Sequence, residues 1–254
     1  MVLAFAEILR RQRAFCTLIM ALGAVCWLVG QIAWAAGQPM HRVAYWWAGF
    51  LVLTIAGERL ELTRLVPLAA SRRAAFVVVV FILLGGLTLT LVAPAGGVPI
   101  IGVALIALAV WLGLFDIARR TVRASGLPRF IAVALLTGYA WLAVAGVLAV
   151  GGADVQAGPR YDALLHALFV GFIFSMIFGH APIIFPAIMG IHIAYRPAFY
   201  AHLGLLHLSL TLRVFGDLAL WLPGRRWGGL LNALAILLFL ANTGYGALRP
   251  PSAR

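Results

Sequence analysis

Apolar stretches long enough, or almost long enough, to cross a membrane recur through the whole chain. A helix needs about 20 predominantly apolar residues to span the hydrocarbon core of a bilayer, and the sequence offers eight such stretches separated by short connections. This pattern predicts an all-α fold, a polytopic transmembrane helix bundle of about eight spans. The stretches lie at about residues 14–36, 43–64, 75–93, 98–118, 130–150, 161–183, 198–220 and 228–247.

The overall composition agrees with a chain that is buried in lipid. Of the 254 residues, 64% are hydrophobic and 10% are charged, whereas an ordinary soluble domain carries about 25% charged residues. The short connections and uniform composition favour a single transmembrane domain over residues 1–254. We expect the lipid bilayer to be its main partner. We also expect the first apolar run to be retained as a helix rather than removed as a signal peptide.

The net charge of +12 comes from arginine alone, because the sequence contains no lysine. No soluble segment is long enough to gather these arginines on one folded face, so a nucleic-acid partner is not expected. They concentrate instead at alternate helix ends, which is typical of cytoplasmic loops. We therefore expect a bacterial inner-membrane protein with both termini in the cytoplasm. Arg225 and Arg226 are the exception to the pattern, because they lie in a connection on the predicted outer side. The clusters are Arg10, Arg11 and Arg13; Arg59, Arg64, Arg72 and Arg73; and Arg119, Arg120, Arg123 and Arg129.

Five of the six histidines fall within the 42 residues from His166 to His207. Ionisable groups inside a bilayer are costly and usually mark a functional site, so we expect residues 161–220 to bear the site. The alternative for each histidine is a neutral ring that donates to a carbonyl one helical turn away. The candidate metal ligands are His166, His180, His192, His202 and His41.

The spacing of the histidines favours a large flat cofactor over a compact metal site. His166 and His180 are 14 residues apart, so in a regular helix they share a face and stand about 21 Å apart. None of these histidines is three or four residues from another, the spacing that suits a zinc or copper site within one helix. A slot for haem also needs apolar walls, which Phe169, Phe172, Phe174 and Phe178 would supply.

The segment 181-APIIFPAIMGIHIAYRP-197 is apolar but contains Pro182, Pro186, Gly190 and Pro197. Prolines interrupt a regular helix, so we expect a short interfacial or re-entrant segment here. Irregular backbone at membrane depth is tolerated where it lines a cavity or is covered by protein. This segment is the basis of an alternative function, a transporter or channel for a metal ion or small solute that uses histidines as ligands or proton relays.

Three short motifs resemble the carboxy-terminal region of the NnrS family of haem- and copper-containing membrane proteins. They are 166-HALFVGFIFSMIFGH-180, 190-GIHIAYRP-197 and 212-LRVFGD-217. The resemblance covers about the last third of the chain, and NnrS proteins have more spans than the eight counted here. The positions that match the family pattern are His166, Met176, His192, Arg196, Pro197 and Arg213.

This resemblance implies haem b, with copper as a further cofactor, and a role in nitric oxide or denitrification-related redox metabolism by electron transfer or gas-ligand binding. A redox partner protein or another membrane subunit would then be expected. Arg213 and Asp217, four residues apart, can form an intrahelical ion pair; with haem present, Arg213 can instead face a propionate. A structural subunit whose histidines only pack is a third reading. The expected cofactor-binding residues are His166, His180, His202, His207 and Arg213.

Overall fold

The computed structural model describes residues 1–11, 14–62, 69–152, 156–190 and 193–248. Within these ranges the regular secondary structure is entirely helical, which confirms the all-α prediction. The helices are α1 (Val2–Arg11), α2 (Phe15–Ala35), α3 (Met40–Leu62), α4 (Ala70–Thr90), α5 (Pro94–Phe115), α6 (Ala118–Thr121), α7 (Gly126–Val150), α8 (Pro159–Leu165), a π-helix (His166–Ile173), α9 (Phe174–Met189), α10 (Phe199–Leu218) and α11 (Leu222–Leu248).

Six helices in the described part of the chain are long and apolar enough to cross a membrane. The continuous helix from α8 through the π-helix to α9 counts as one of them, Pro159–Met189, with 31 residues. The length and apolarity of these helices indicate a multi-pass membrane protein. Two further helices, α3 and α10, have 23 and 20 residues but carry charged and histidine side chains that lower their hydropathy.

The prolines after residue 181 do not break the helix as expected. α9 continues through Pro182 and Pro186 to Met189, so the prediction of a short interfacial or re-entrant segment beginning at residue 181 is wrong. Helices in apolar surroundings tolerate proline when neighbouring groups satisfy the freed carbonyls. The helix ends instead at Gly190, whose φ of +65° and N–H bond to the Pro186 carbonyl are typical of a glycine cap.

The close Cα neighbours divide the chain into two compact units, and the first comprises residues 1–117 and 143–161. Its helices approach each other closely at glycines. An added Cβ on Gly102 would lie 2.6 Å from the Gly146 carbonyl oxygen, and one on Gly146 would lie 2.7 Å from the Gly102 carbonyl oxygen. Small residues at such crossings allow backbones to pack directly, as in other membrane helix pairs.

The second unit comprises residues 118–142 and 162–254 and contains five of the six predicted site residues that the structure describes. Its buried core is aromatic, and Phe130, Phe178, Phe199 and Phe239 are each at most 4% exposed. The α10–α11 hairpin is tight, because an added Cβ on Gly228 would lie 2.6 Å from the backbone nitrogen of Arg213. This close approach brings the charged residues of the two helices together.

Candidate functional site

A π-helix of eight residues, His166–Ile173, interrupts the 31-residue helix Pro159–Met189. Such wider turns are rare and frequently mark functional sites. Because a π-helix advances fewer degrees per residue than an α-helix, the premise that His166 and His180 share one face of a regular helix is wrong. Gly171 lies within this turn, where an added Cβ would sit 2.5 Å from Cβ of Trp141.

His166 and His180 make the same local hydrogen bond. Nδ1 of His166 lies 2.8 Å from the backbone oxygen of Asp162, and Nδ1 of His180 lies 2.7 Å from that of Met176. A carbonyl oxygen only accepts, so each Nδ1 carries the proton and donates. In the neutral ring Nε2 then carries the lone pair. This is the tautomer that metal-ligating histidines adopt, and a packed histidine can adopt it as well.

His202 has the opposite arrangement. The side-chain amide nitrogen of Asn242 lies 3.3 Å from the Ala198 carbonyl oxygen and 3.1 Å from Nδ1 of His202. Since the carbonyl requires a donor, the amide NH₂ also donates to the imidazole, and the neutral ring carries its proton on Nε2. That nitrogen is buried and has no hydrogen-bond partner among the described residues.

Aromatic rings surround the imidazole of His202, which is only 1% exposed. Its ring centroid lies 4.9 Å from that of Phe178 and nearly perpendicular to it. Phe130, Phe199 and Phe239 lie at 6.0, 5.6 and 5.4 Å. Perpendicular contacts of this kind stabilise packed aromatic groups, so His202 is held as part of the core.

His207 is also held as a hydrogen-bond acceptor at Nδ1. The indole N–H of Trp141 donates to it at 3.0 Å, and an indole nitrogen can only donate. The neutral His207 ring therefore carries its proton on Nε2. To bind iron through Nε2, His202 or His207 would have to move this proton and lose an existing bond. That His202 and His207 are ligands stays a prediction, and the hydrogen bonds that their Nδ1 atoms accept oppose it.

The remaining predicted histidines lie elsewhere. His41 is in the first unit, near the start of α3, where its backbone oxygen accepts a bond from the Tyr161 hydroxyl at 3.4 Å. Its Nε2 is buried without a hydrogen-bond partner among the described residues. His192 lies outside the described residues. The roles predicted for these two histidines remain predictions.

Two aspartates and two arginines form an ion-pair network next to His166. Asp217, whose side chain is fully buried, accepts from Nε of Arg213 at 3.1 Å and from Nε of Arg225 at 2.6 Å. Asp162 accepts from the same two guanidinium groups at 2.6 and 3.4 Å. Two positive and two negative charges cancel, which reduces the cost of burying them. The predicted Arg213–Asp217 pair is therefore confirmed as part of a larger network.

Ligand atoms of Asp162, His166 and Asp217 all lie within 4.8 Å of one another, a spacing that would suit a metal ion. Both carboxylates, however, already accept hydrogen bonds from arginine. A cation placed between them would also be repelled by two guanidinium groups. The geometry therefore favours the ion-pair network over a metal centre formed by these three residues.

The network uses all three nitrogens of the Arg213 guanidinium group. Nε binds Asp217, Nη2 binds Asp162, and Nη1 donates to the backbone oxygen of Arg225 at 3.0 Å. A haem propionate would have to displace one of these acceptors. The Asp162 side chain is 39% exposed and is the more accessible carboxylate, since that of Asp217 is fully buried. The predicted contact of Arg213 with a propionate thus requires a rearrangement.

Sequence reasoning missed three residues that shape this region. Asp162 is one turn before His166, and that spacing was an available signal. Trp141 and Asn242 lie 66 and 40 positions from the histidines that they contact, and nothing in the sequence points to those pairings. Arg225 is an exception to the distribution of arginine between the two sides of the membrane. Its ion pairs with Asp162 and Asp217 explain its position.

No curated protein and no solved structure matches the chain. One family model does match, and it extends over nearly the whole sequence. It describes a domain of unknown function, DUF8744, and it covers residues 1–246, so the chain belongs to the DUF8744 family.

Proposed function

We propose that the chain is a haem b-binding, multi-pass protein of the bacterial inner membrane. Its role would be electron transfer or gas-ligand binding in nitric oxide or denitrification-related redox metabolism, as in the NnrS family that its last third resembles. One observation carries the haem proposal. The Nδ1 atoms of His166 and His180 donate to backbone oxygens at 2.8 and 2.7 Å, which leaves Nε2 in the state that binds iron.

His166 is the preferred iron ligand. It is held at the first residue of the π-helix, it belongs to the NnrS-like motif, and its ring is fixed by the backbone of Asp162. His180 is the second candidate. His202 and His207 are less suitable because their Nδ1 atoms accept hydrogen bonds. Copper, and the participation of His192 and His41, belong to this proposal through the resemblance and the sequence pattern alone.

When bound, haem would supply a redox-active iron with an exchangeable gas-ligand position. The residues of this chain would orient and insulate it. The carbonyl of Asp162 fixes the ring plane of His166, and the neighbouring ion-pair network keeps two partly buried arginines neutralised beside that ligand. A hydrogen bond from Nδ1–H to a carbonyl also increases the basicity of the ligating nitrogen.

We further propose that α3 and α10 cross the membrane, which gives eight spans and puts both termini on the same side, and the placement of the arginines makes that side the cytoplasm. The lengths of these helices, 23 and 20 residues, support this count. Their charges do not exclude it. Arg59 of α3 is 3% exposed and pairs with Glu58 at 3.0 Å, and the charges of α10 lie in the network. Paired charges are the form in which ionisable residues occur within membranes.

The haem proposal predicts a specific loss of cofactor. The full chain should be expressed in a haem-replete host and purified in detergent, and haem per chain measured by the pyridine haemochrome assay. We expect His166→Ala to lose most of its haem and His180→Ala to lose haem if it supplies a second ligand. His207→Gln is the matched control, since His207 binds Trp141, and it should retain haem.

A folded His166→Ala protein with the full haem content of the parent would contradict the assignment of His166. A parent without a Soret band would contradict the haem proposal itself. Elemental analysis of the same samples gives the copper content. Fewer than one copper atom for every several chains would contradict the copper part of the proposal and leave the haem part unchanged.

The alternative, a transporter or channel for a metal ion or small solute, is favoured by one observation. The network of Asp162, Arg213, Asp217 and Arg225 lies among apolar helices beside His166. Ionisable groups in such positions also form proton relays and substrate pathways. Purified protein without haem absorption that moves a metal ion into dye-loaded liposomes would support this reading, and Asp162→Asn should then reduce the rate.

A further inference from the structure

A cavity of about 370 Å³ lies in the second unit, where α7 begins and the connection from α9 enters α10. It is remote in sequence from His166 and plays no part in the haem proposal. Its volume falls at the small end of the range of ligand pockets, about 300–1,000 Å³. The lining residues are Ser125, Gly126, Arg129, Val133, Tyr195 and Tyr200.

The polar groups of this cavity suit an anion. Its lining provides one guanidinium group and three hydroxyl groups, and it includes no carboxylate. Arg129 is exposed and forms no ion pair with any residue that the structure describes. Arg120, in α6, and Arg123, in the turn before α7, precede Arg129 in the sequence and add positive potential. A cation would be repelled here, whereas an anion would be attracted.

The two tyrosines stand on a rigid base. The ring of the fully buried Phe130 lies 5.3 Å from that of Tyr200, in a perpendicular contact, and 6.1 Å from that of Tyr195. Tyr195 also contacts Phe199 at 5.9 Å. The hydroxyl groups are therefore held in place before any ligand arrives, which lowers the entropic cost of binding.

The phenol of Tyr195 is a neutral hydrogen-bond donor at physiological pH. Burial raises its pKa above the ordinary value, Tyr200 raises it further through its charge and through a hydrogen bond between the two side chains, and Arg129 opposes the change. A phenol that stays protonated can donate to an oxyanion, whereas a phenolate would repel one. The cavity thus combines one fixed positive charge with neutral donors.

We propose that this cavity binds a phosphate group, presented by the headgroup of an anionic phospholipid or as free phosphate. Arginine binds phosphate oxygens through a bidentate, charge-assisted contact. The hydrogen bond between Tyr195 and Tyr200 uses one of the two phenol protons, so the other phenol and the Ser125 hydroxyl can donate to the remaining oxygens. Basic pockets between membrane helices on the cytoplasmic side bind lipid headgroups in this way. Val133, one helical turn beyond Arg129 on α7, gives the cavity an apolar wall for the rest of a lipid.

The proposal can be tested by the thermal stability of delipidated full-length protein in a neutral detergent. The probes are dihexanoylphosphatidylglycerol, dihexanoylglycerol as the matched lipid without phosphate, and sodium phosphate against sodium chloride at equal ionic strength. We expect phosphatidylglycerol to raise the melting temperature in a saturable manner, and Arg129→Gln to increase the half-saturating concentration at least about tenfold. Arg123→Gln, an exposed arginine outside the cavity lining, is the control and should behave as the parent.

Tyr200→Phe keeps the ring that packs on Phe130 and removes only the hydroxyl group, so it tests the site even if Arg129→Gln is poorly folded. We expect it to weaken binding about threefold or more. A response to sodium phosphate alone that depends on Arg129, with no gain from the lipid, would identify free phosphate as the ligand. Equal effects of the Arg129 and Arg123 changes, equal stabilisation by dihexanoylglycerol, or no stabilisation by either phosphate probe would overturn the proposal.

Discussion

At the scale of single residues, the partner of Nδ1 decides what each histidine can do. For His166 and His180 that partner is the carbonyl one turn earlier, the local contact that the sequence pattern offered as the alternative to a functional role. For His202 and His207 it is Asn242 and Trp141, which are distant in sequence. A histidine cluster can therefore be found from sequence, but the tautomer of each ring depends on tertiary contacts that leave no local pattern.

The buried ion-pair network gives a prediction at the same scale. Asp217→Asn removes the only fully buried carboxylate of the network and leaves excess positive charge from Arg213 and Arg225. Removing one partner of a buried pair costs about 3–5 kcal/mol, so we expect a large loss of stability. Asp162→Asn is the matched control, since its side chain is 39% exposed, and solvent should reduce its cost to about 1 kcal/mol.

Unfolding of both variants in detergent, followed by circular dichroism against the parent, measures this difference. If the two substitutions lower stability equally, the burial of Asp217 does not control the network. The double variant Asp217→Asn with Arg225→Gln should recover part of the stability that Asp217→Asn loses, because the excess positive charge is then removed.

At the scale of the helices, the sequence predicted where each long helix lies but not how it is wound. The apolar stretches at 14–36 and 130–150 correspond to α2 (Phe15–Ala35) and α7 (Gly126–Val150). Hydrophobic length alone determines such elements in lipid. The π-helix at His166–Ile173 was not predicted, because an apolar run of spanning length has the same sequence signal whether its turns are α or π. The effect of Pro182 and Pro186 was overestimated, because a helix in apolar surroundings tolerates proline. The helix continues through both and ends at Gly190.

Gly171 gives a prediction for this element. Gly171→Ala places a Cβ 2.5 Å from Cβ and Cγ of Trp141, so the indole must move and its bond to His207 must weaken. Forced overpacking costs about 1–3 kcal/mol, and we expect a loss of stability in that range. Gly204→Ala is the matched control, because nothing lies within 4 Å of its added Cβ, and helix propensity should make it neutral or stabilising by up to about 1 kcal/mol.

Thermal unfolding of the two variants provides the comparison. Equal melting temperatures for Gly171→Ala and Gly204→Ala would show that the indole yields without cost.

At the scale of the whole molecule, the placement of arginine sets the expected orientation. The connection at residues 119–129 carries four arginines, Arg119, Arg120, Arg123 and Arg129, whereas residues 151–160 carry one, Arg160. Such asymmetry in short loops orients membrane proteins. Arg225 lies on the predicted outer side and is an exception to this asymmetry. It counts less against the orientation than a free arginine would, because it is paired with Asp217 at 2.6 Å. The proposed cytoplasmic position of the Arg129 cavity depends on this orientation.

We therefore predict that residues 119–129 face the cytoplasm and residues 151–160 face the periplasm. Single cysteines at Ala124 and Gln156, both exposed positions, can be introduced after Cys16 and Cys26 are replaced by alanine, and labelled in intact cells with a membrane-impermeant maleimide. Gln156→Cys should react before the cells are opened, and Ala124→Cys only afterwards. The reverse pattern would place the arginine-rich connection in the periplasm. The Arg129 cavity would then meet the outer leaflet of the inner membrane, and His166 would lie nearer the cytoplasm, where different electron donors would reach it.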